Sequence, residues 1–227
     1  MGAGRLAARL IGPAAREQAP VLASNFVWQA FERAVDGLGP LKGATEAADA
    51  KLERHDGDRA KAIGDVVDSH VTLAGAQGFL TNIGGLVTMA VTIPANVSGL
   101  ALLQAHMVGG IAHLRGYDLA DPRVRNAVLA CMLGADTVTA LIKTKRLPSS
   151  PMAIATAPAH DPVLGQRIAT HVAAELVERV AGKRTVATLG RKIPVFGGGI
   201  GMVTDGYATY QVGRYAAKEL KSRRQVP

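Results

Sequence analysis

The sequence predicts an all-α fold: a multi-helix bundle with a central uncharged, Gly-rich helical hairpin and a C-terminal proline-initiated helix. Three observations carry this reading. Apolar residues recur at three- and four-residue spacing along several long segments, which is the helical period. No segment shows a persuasive strand alternation. A 46-residue span, from Ser69 to Leu114, contains no Asp, Glu, Lys or Arg. The 227 residues suit one domain, read here as an N-terminal arm over 1–18 and a single helical domain over 19–227.

Taken in order, Ala19 to Val35 is expected to be an amphipathic helix, with Val21, Leu22, Phe26, Val27, Ala30, Phe31 and Ala34 on one face. It stops at Asp36-Gly37-Leu38-Gly39-Pro40, where glycine and proline end helical hydrogen bonding. Thr45 to His55 forms a short polar helix, and Asp56-Gly57-Asp58 opens a third. The uncharged span follows, broken at Pro94 into two helices folded back on each other. Its glycines (Gly75, Gly78, Gly84, Gly85, Gly99, Gly109 and Gly110) cost helix stability. Close helix–helix approach is the expected reason for them.

Arg115-Gly116-Tyr117-Asp118 reads as a loop, and Asp121-Pro122 as an N-cap with proline at the first helical position. One helix is expected from there to Arg146, its basic last turn facing the negative end of the helix dipole. Leu147 to Pro158, with three prolines, reads as a loop that includes a mobile part. Asp161-Pro162 repeats the cap-and-proline signal, and Pro194 opens a second uncharged run before the last helix and its basic tail.

The uncharged span has two physical readings. A hairpin buried on all sides needs no charge, and a hairpin entering a bilayer excludes it. Gln77, Thr81, Asn82, Asn96, Gln104, His106 and His113 weigh against lipid, where unsatisfied polar groups are costly. A buried core is the preferred reading.

The single cysteine, Cys131, excludes an intrachain disulfide framework and a multi-thiolate metal site, and fits a reducing compartment. Arg9, Pro13 and Arg16 interrupt the N-terminus, so no secretory signal is expected there. The net charge is +8 with a pI near 9.9. Its basic residues gather at Lys143, Lys145 and Arg146, at Lys183 and Arg184, and at Arg191 and Lys192, with more in the C-terminal tail. Such groups suit an anionic surface, or they simply keep a greasy protein in solution.

Catalytic motifs are not apparent. Gly197-Gly198-Gly199-Ile200-Gly201 lacks both the Lys-Ser/Thr of a phosphate loop and a preceding strand, and reads as a helix start. His106 and His113 share a helix face at a spacing wider than the usual zinc pair, and core histidines are the plainer reading. His160-Asp161 is explained by capping. No Gly-x-Ser-x-Gly elbow occurs, and Cys131 sits in an apolar helix as a core residue. The polar residues Asn96, Gln104, His106, His113 and Asp205 form a candidate interior cluster, with Asn96 and Asp205 either facing one pocket or capping locally. No metal or cofactor is expected.

Pro94-Ala95-Asn96, Gln104 and Ala112-His113-Leu114-Arg115-Gly116-Tyr117-Asp118-Leu119 resemble the EcsC protein family. So do Arg123-Val124-Arg125, Leu129-Ala130-Cys131 and Lys192-Ile193-Pro194-Val195 with Gly197, Gly201 and Asp205. The resemblance runs over roughly 60–220. It implies a bacterial helical protein, named for a gene beside a transporter of the ATP-binding cassette type, with a transporter as a possible partner. It brings no catalytic residue. By that resemblance His106 stands where a basic Arg or Lys is expected, giving any headgroup contact there a pH dependence.

The function expected from the residues is non-enzymatic: binding lipid or another apolar ligand at the inner face of the cytoplasmic membrane. The alternative is an enzyme with a polar interior site around His106, His113 and Asp205. Nucleic-acid binding ranks last, because aromatics make up only 4% of the chain and no helix-turn-helix spacing occurs.

Overall fold

A computed structural model describes residues 13–40, 42–75, 95–190 and 199–222. Among the described residues the elements are α1 (Pro13–Asp36), α2 (Ala44–Arg54), α3 (Arg59–Gly75), α4 (Ala95–Leu114), α5 (Pro122–Met132), α6 (Ala135–Lys143), α7 (Pro151–Ala155), α8 (Pro162–Gly190) and α9 (Gly199–Glu219), with no strand. The all-α expectation holds.

Local chemistry sets most of the boundaries. Gly37, at φ 91°, ends α1 and its N–H donates to the Arg33 carbonyl at 3.0 Å. Asp58 starts α3, its Oδ1 accepting from the N–H groups of Ala60 and Lys61 at 3.0 and 3.1 Å. Asp121 caps α5 through the Arg123 N–H at 2.8 Å, and Asp161 caps α8 through those of Val163 and Leu164 at 2.9 and 3.2 Å. Both are followed by proline, as the sequence predicts.

Three expectations need correction. The single helix to Arg146 is two helices, α5 and α6, bent by 109°. Gly134 makes the bend at φ 82°, a conformation an L side chain resists, and Asp136 then opens α6 at the positive end of its dipole. The stretch from Leu147 to Pro158 is not simply a loop. Ser150 and Pro151 repeat the cap-and-proline signal, the Ser150 Oγ accepting from the Ala153 N–H at 3.5 Å. In α7, Pro151, Ile154 and Ala155 are buried.

The uncharged span also divides differently from expectation. It begins inside α3, which runs on from Arg59 to Gly75, rather than at a new helix. Pro94 and the chain between α3 and α4, like Pro194 before α9, lie outside the described residues. What is described of the second hairpin helix is core: every residue from Gly99 to Ala112 is buried. Helix α4 packs against α1, α2, α3, α5, α8 and α9. Gly109 and Gly110 lie against Ala44 and Ala48 of α2, the close approach expected of them. Leu102, Met107 and Ile111 join Phe26 and Phe31 of α1, Leu129 and Met132 of α5, and Ile168 and Leu176 of α8 among the largest fully buried side chains. Burying each such side chain contributes about 1.5–3 kcal/mol, which explains why α4 needs no polar face. Among the described residues no single helix is long and apolar enough to cross a membrane.

Candidate functional site

Gln104 lies on a different face of α4 from His106 and His113. Gln104 is fully buried. His106, two residues on, points instead toward α3 and the segment before α2. Its Nδ1 lies 2.8 Å from Nε2 of His70, and its Nε2 lies 2.9 Å from the Lys42 carbonyl oxygen. At the other end of this chain, His70 Nδ1 is 2.7 Å from the Val66 carbonyl oxygen. The two rings are 5.0 Å apart, tilted by 32°.

Counting protons gives this chain its character. A carbonyl oxygen only accepts, so His70 Nδ1 and His106 Nε2 both carry hydrogen. Two neutral imidazoles have then used both their protons, and two lone pairs meet across the central 2.8 Å contact. One added proton would complete three hydrogen bonds, and a second would set two positive charges side by side. Burial opposes either charge. It depresses the pKa of His106, against the Lys42 hydrogen bond that raises it and with Lys51 lowering it further. It pushes His70 down to about 3, helped by the charge of His106 and, less, of Lys51. A headgroup role for His106 is not what this geometry offers, since the ring faces the core.

His113 lies two turns further along α4, about 10 Å at 1.5 Å per residue. Its Nε2 donates to Asp49 Oδ1 on α2 at 2.7 Å. The two histidines therefore meet different partners. Lys42 and Asp49 nonetheless line one cleft of about 510 Å³ at the end of α1, together with Asp36, Glu46 and Glu53. Next to it, Asp65 of α3 ties α2 down through Lys51 Nζ at 2.5 Å, Arg54 at 3.2 Å and His55 at 3.1 Å. Burial would raise the Asp65 carboxyl, but hydrogen bonds from Lys51 and His55 and the charges of Lys51 and Arg54 hold it below the usual range.

Asn96 and Asp205 lie on α4 and α9, and their side chains are outside the described set. His70 and Asp49 escaped the sequence reading. His70 stands inside the uncharged span and carries the same signal as His106, a titratable ring in apolar surroundings. Asp49 has no signal of its own, because its partner lies 64 residues away. Among the described residues no group of three or more His, Cys, Asp or Glu could hold a metal ion. Cys131 is fully buried and its thiol pKa is raised well above the ordinary value by burial, and further by Glu219, so it is a core residue.

Of the basic groups, Lys143, Lys145 and Arg146 are exposed at the end of α6. Lys183 and Arg184 belong to α8 with side chains outside the described set, and Arg191 and Lys192 are outside it entirely. The sequence reading missed the outer face of α9. Tyr207 and Tyr210 are 61% and 42% exposed in a chain with only four tyrosines. Gln211, Arg214 and Lys218, also exposed, share that face by helical spacing, with Lys221 just beyond the helix end. Arg214 lies 6.0 Å over the Tyr210 ring.

The residues that carry the family resemblance act as clamps. Arg115 donates to the Ala217 carbonyl and to Ser222 Oγ, both at 3.1 Å, and the Tyr117 hydroxyl donates to the Lys221 carbonyl at 2.9 Å. These contacts fix the end of α9 against the α4–α5 loop. Arg123 joins Asp121 at 2.6 Å and donates to the Ala157 carbonyl at 2.6 Å, holding the connection between α7 and α8. Neither curated proteins nor solved structures match the chain significantly. Among protein families, the EcsC protein family matches residues 41–224, most of the chain and all of the bundle from α2 to the end of α9. The chain belongs to the EcsC protein family.

Proposed function

We propose that this protein is a non-catalytic helical module that docks at an anionic membrane surface, on the cytoplasmic face, through the outer face of α9. One observation carries the reading: an aromatic-poor protein exposes Tyr207 and Tyr210 on one helix face, with Arg214, Lys218 and Lys221 in line behind them. Amphipathic rings favour the headgroup zone, and basic side chains there are worth about 1 kcal/mol each against acidic lipid. Lys143, Lys145 and Arg146 add a second exposed basic group. The apolar surface of α4 is spent on the core, so the contact is peripheral. A transporter in the same membrane is the partner class this placement favours.

The test is vesicle co-sedimentation of the full chain with zwitterionic vesicles and with vesicles carrying a quarter acidic lipid. Binding is expected to the acidic vesicles alone, and to fade as salt rises. Tyr207→Ser with Tyr210→Ser should weaken it at least tenfold, and Arg214→Gln with Lys218→Gln should reduce its salt dependence. An unbound protein at low salt would refute the proposal.

A further inference from the structure

A second cleft, of about 320 Å³, lies where the first turns of α5 and α8 meet α1. Its lining has an unusual chemical balance. Arg125, Asn126, His160, Gln166, Asn25 and Trp28 face it, and among the described residues no carboxylate does. Pro122 and Pro162, the first residues of the two helices, also line it.

Three of these groups keep polar atoms without a hydrogen-bond partner among the described residues. The Arg125 Nε donates to the Leu119 carbonyl at 2.8 Å, and the guanidinium lies 5.9 Å over the Phe31 ring. Its two terminal nitrogens have no hydrogen-bond or ion-pair partner among the described residues. Trp28 packs edge-on against the same Phe31 at 5.9 Å, its indole N–H likewise without a partner there. Asn126 is only 2% exposed, yet its amide makes no hydrogen bond among the described residues and faces the cleft. The amide reaches solvent only through the cleft, so a ligand seated there is placed to hydrogen-bond with it.

Gly165 shows that the amide position is built in. A Cβ there would come 2.6 Å from Asn126 Oδ1 and 3.0 Å from Trp28 Cζ2. Only glycine leaves both groups in place on the first turn of α8. The two carboxylates that precede the helix prolines are already occupied. Asp121 is bridged by Arg123 at 2.6 Å, and Asp161 caps α8 and meets Arg167 at 3.2 Å. Arg125 therefore brings an uncompensated positive fork to a cleft of ligand-binding size.

We propose that this cleft binds a small organic anion. Its carboxylate or phosphate pairs with the Arg125 terminal nitrogens, its planar or apolar part lies against Trp28, and a hydrogen-bonding group meets Asn126. A guanidinium fork matches two oxygens of such a group, which a lysine would not do. The site uses none of the residues of the proposed membrane face, so it stands or falls separately.

Trp28 is the sole tryptophan, so its fluorescence reports on this cleft directly. The full chain is titrated with phenyl phosphate, with benzoate, and with a short-chain, water-soluble phosphatidic acid, each also followed by calorimetry. A saturable Trp28 response to at least one of them is expected. Tighter binding of the short-chain lipid identifies a headgroup, and equal or tighter binding of phenyl phosphate or benzoate identifies a free anion. Arg125→Gln should weaken binding roughly 10- to 100-fold, as loss of a charged hydrogen-bond pair does. Should that variant fail to fold, His160→Ala with Gln166→Ala, both at exposed positions, should still weaken it several-fold. Gly165→Ala should abolish it by pushing into Asn126. No saturable response at millimolar concentration, or affinities unchanged in the folded variants, would overturn the proposal.

Discussion

Lowering the pH from 7 to 4.5 perturbs the bundle where His70 and His106 meet. In the unfolded chain both imidazoles titrate near about 6.5. In the fold, burial pushes His70 down to about 3 and holds His106 below its ordinary value. Below pH 6.5 the unfolded chain therefore binds more protons than the folded one, so stability is lost on acidification. For His70 that loss begins near pH 6.5 and ends near 3. Each pH unit inside the window costs about 1.4 kcal/mol per imidazole that lags. Between pH 6.5 and 4.5, His70 alone removes about 3 kcal/mol, a large part of a typical stability of about 5–15 kcal/mol.

The surrounding charges do not offset this. Lys51 on α2 lowers both histidines, and its own partner Asp65 lies one turn before Ser69 on α3. The groups of α9 packed on this side, Gly206 against Val71 and Gly213 against Met107 and Val67, are uncharged. The side chain of Asp205 is outside the described set. Urea unfolding followed by circular dichroism, at constant ionic strength and four pH values, measures the effect. Subtracting the profile of His70→Gln cancels Asp65 and the surface carboxylates. The difference should slope by about 1.4 kcal/mol per unit below pH 6.5. Coincident slopes for the two proteins would refute the reasoning. A proton NMR titration in which the His70 ring moves near pH 6.5 in the native protein would do so independently.

Three further outcomes follow from packing and capping. Gly213→Ala places a methyl 3.0 Å from Met107 Sδ and both Val67 methyls, and should destabilise by about 1–3 kcal/mol in urea unfolding. Asp121→Ala removes the cap of α5 and the Arg123 bridge together, and should cost about 1–2 kcal/mol. Cys131 should react with a thiol reagent only at the rate of global opening, so its labelling rate should rise in Gly213→Ala in step with the lost stability.

What the sequence made legible follows the range of the interactions. Caps are local, and Asp58, Asp121 and Asp161 announced three helix starts through residues two or three positions away. The uncharged run announced α4 as core, because burial on all sides leaves no place for charge. The bend at Gly134 was local too, but a continuous apolar face across Val128, Leu129, Met132, Leu133 and Val138 masked it, since both helices are buried there. The site resisted for the opposite reason. His106 meets His70 across 36 residues and Lys42 across 64, and Arg125, Trp28 and Gly165 converge from three helices. No spacing rule encodes such meetings.

The greasy composition of this chain invites a membrane explanation at the wrong place. Helix α4 holds much of the apolar content, and its neighbours already cover it from Gly99 to Ala112. Moving it into lipid would expose Gln104 and break the contacts of His106 with His70 and Lys42, a loss of several kcal/mol that a bilayer would not return. Among the described residues, the proposed membrane contact would then use surface that the core does not, and α9 presents such a surface. Variants on α9 should therefore abolish vesicle binding with unchanged unfolding profiles, whereas any α4 variant that alters vesicle binding should first alter stability. A vesicle-bound protein in which α4 amides exchange faster than the rest of the bundle would reverse that order and return the uncharged helix to the bilayer.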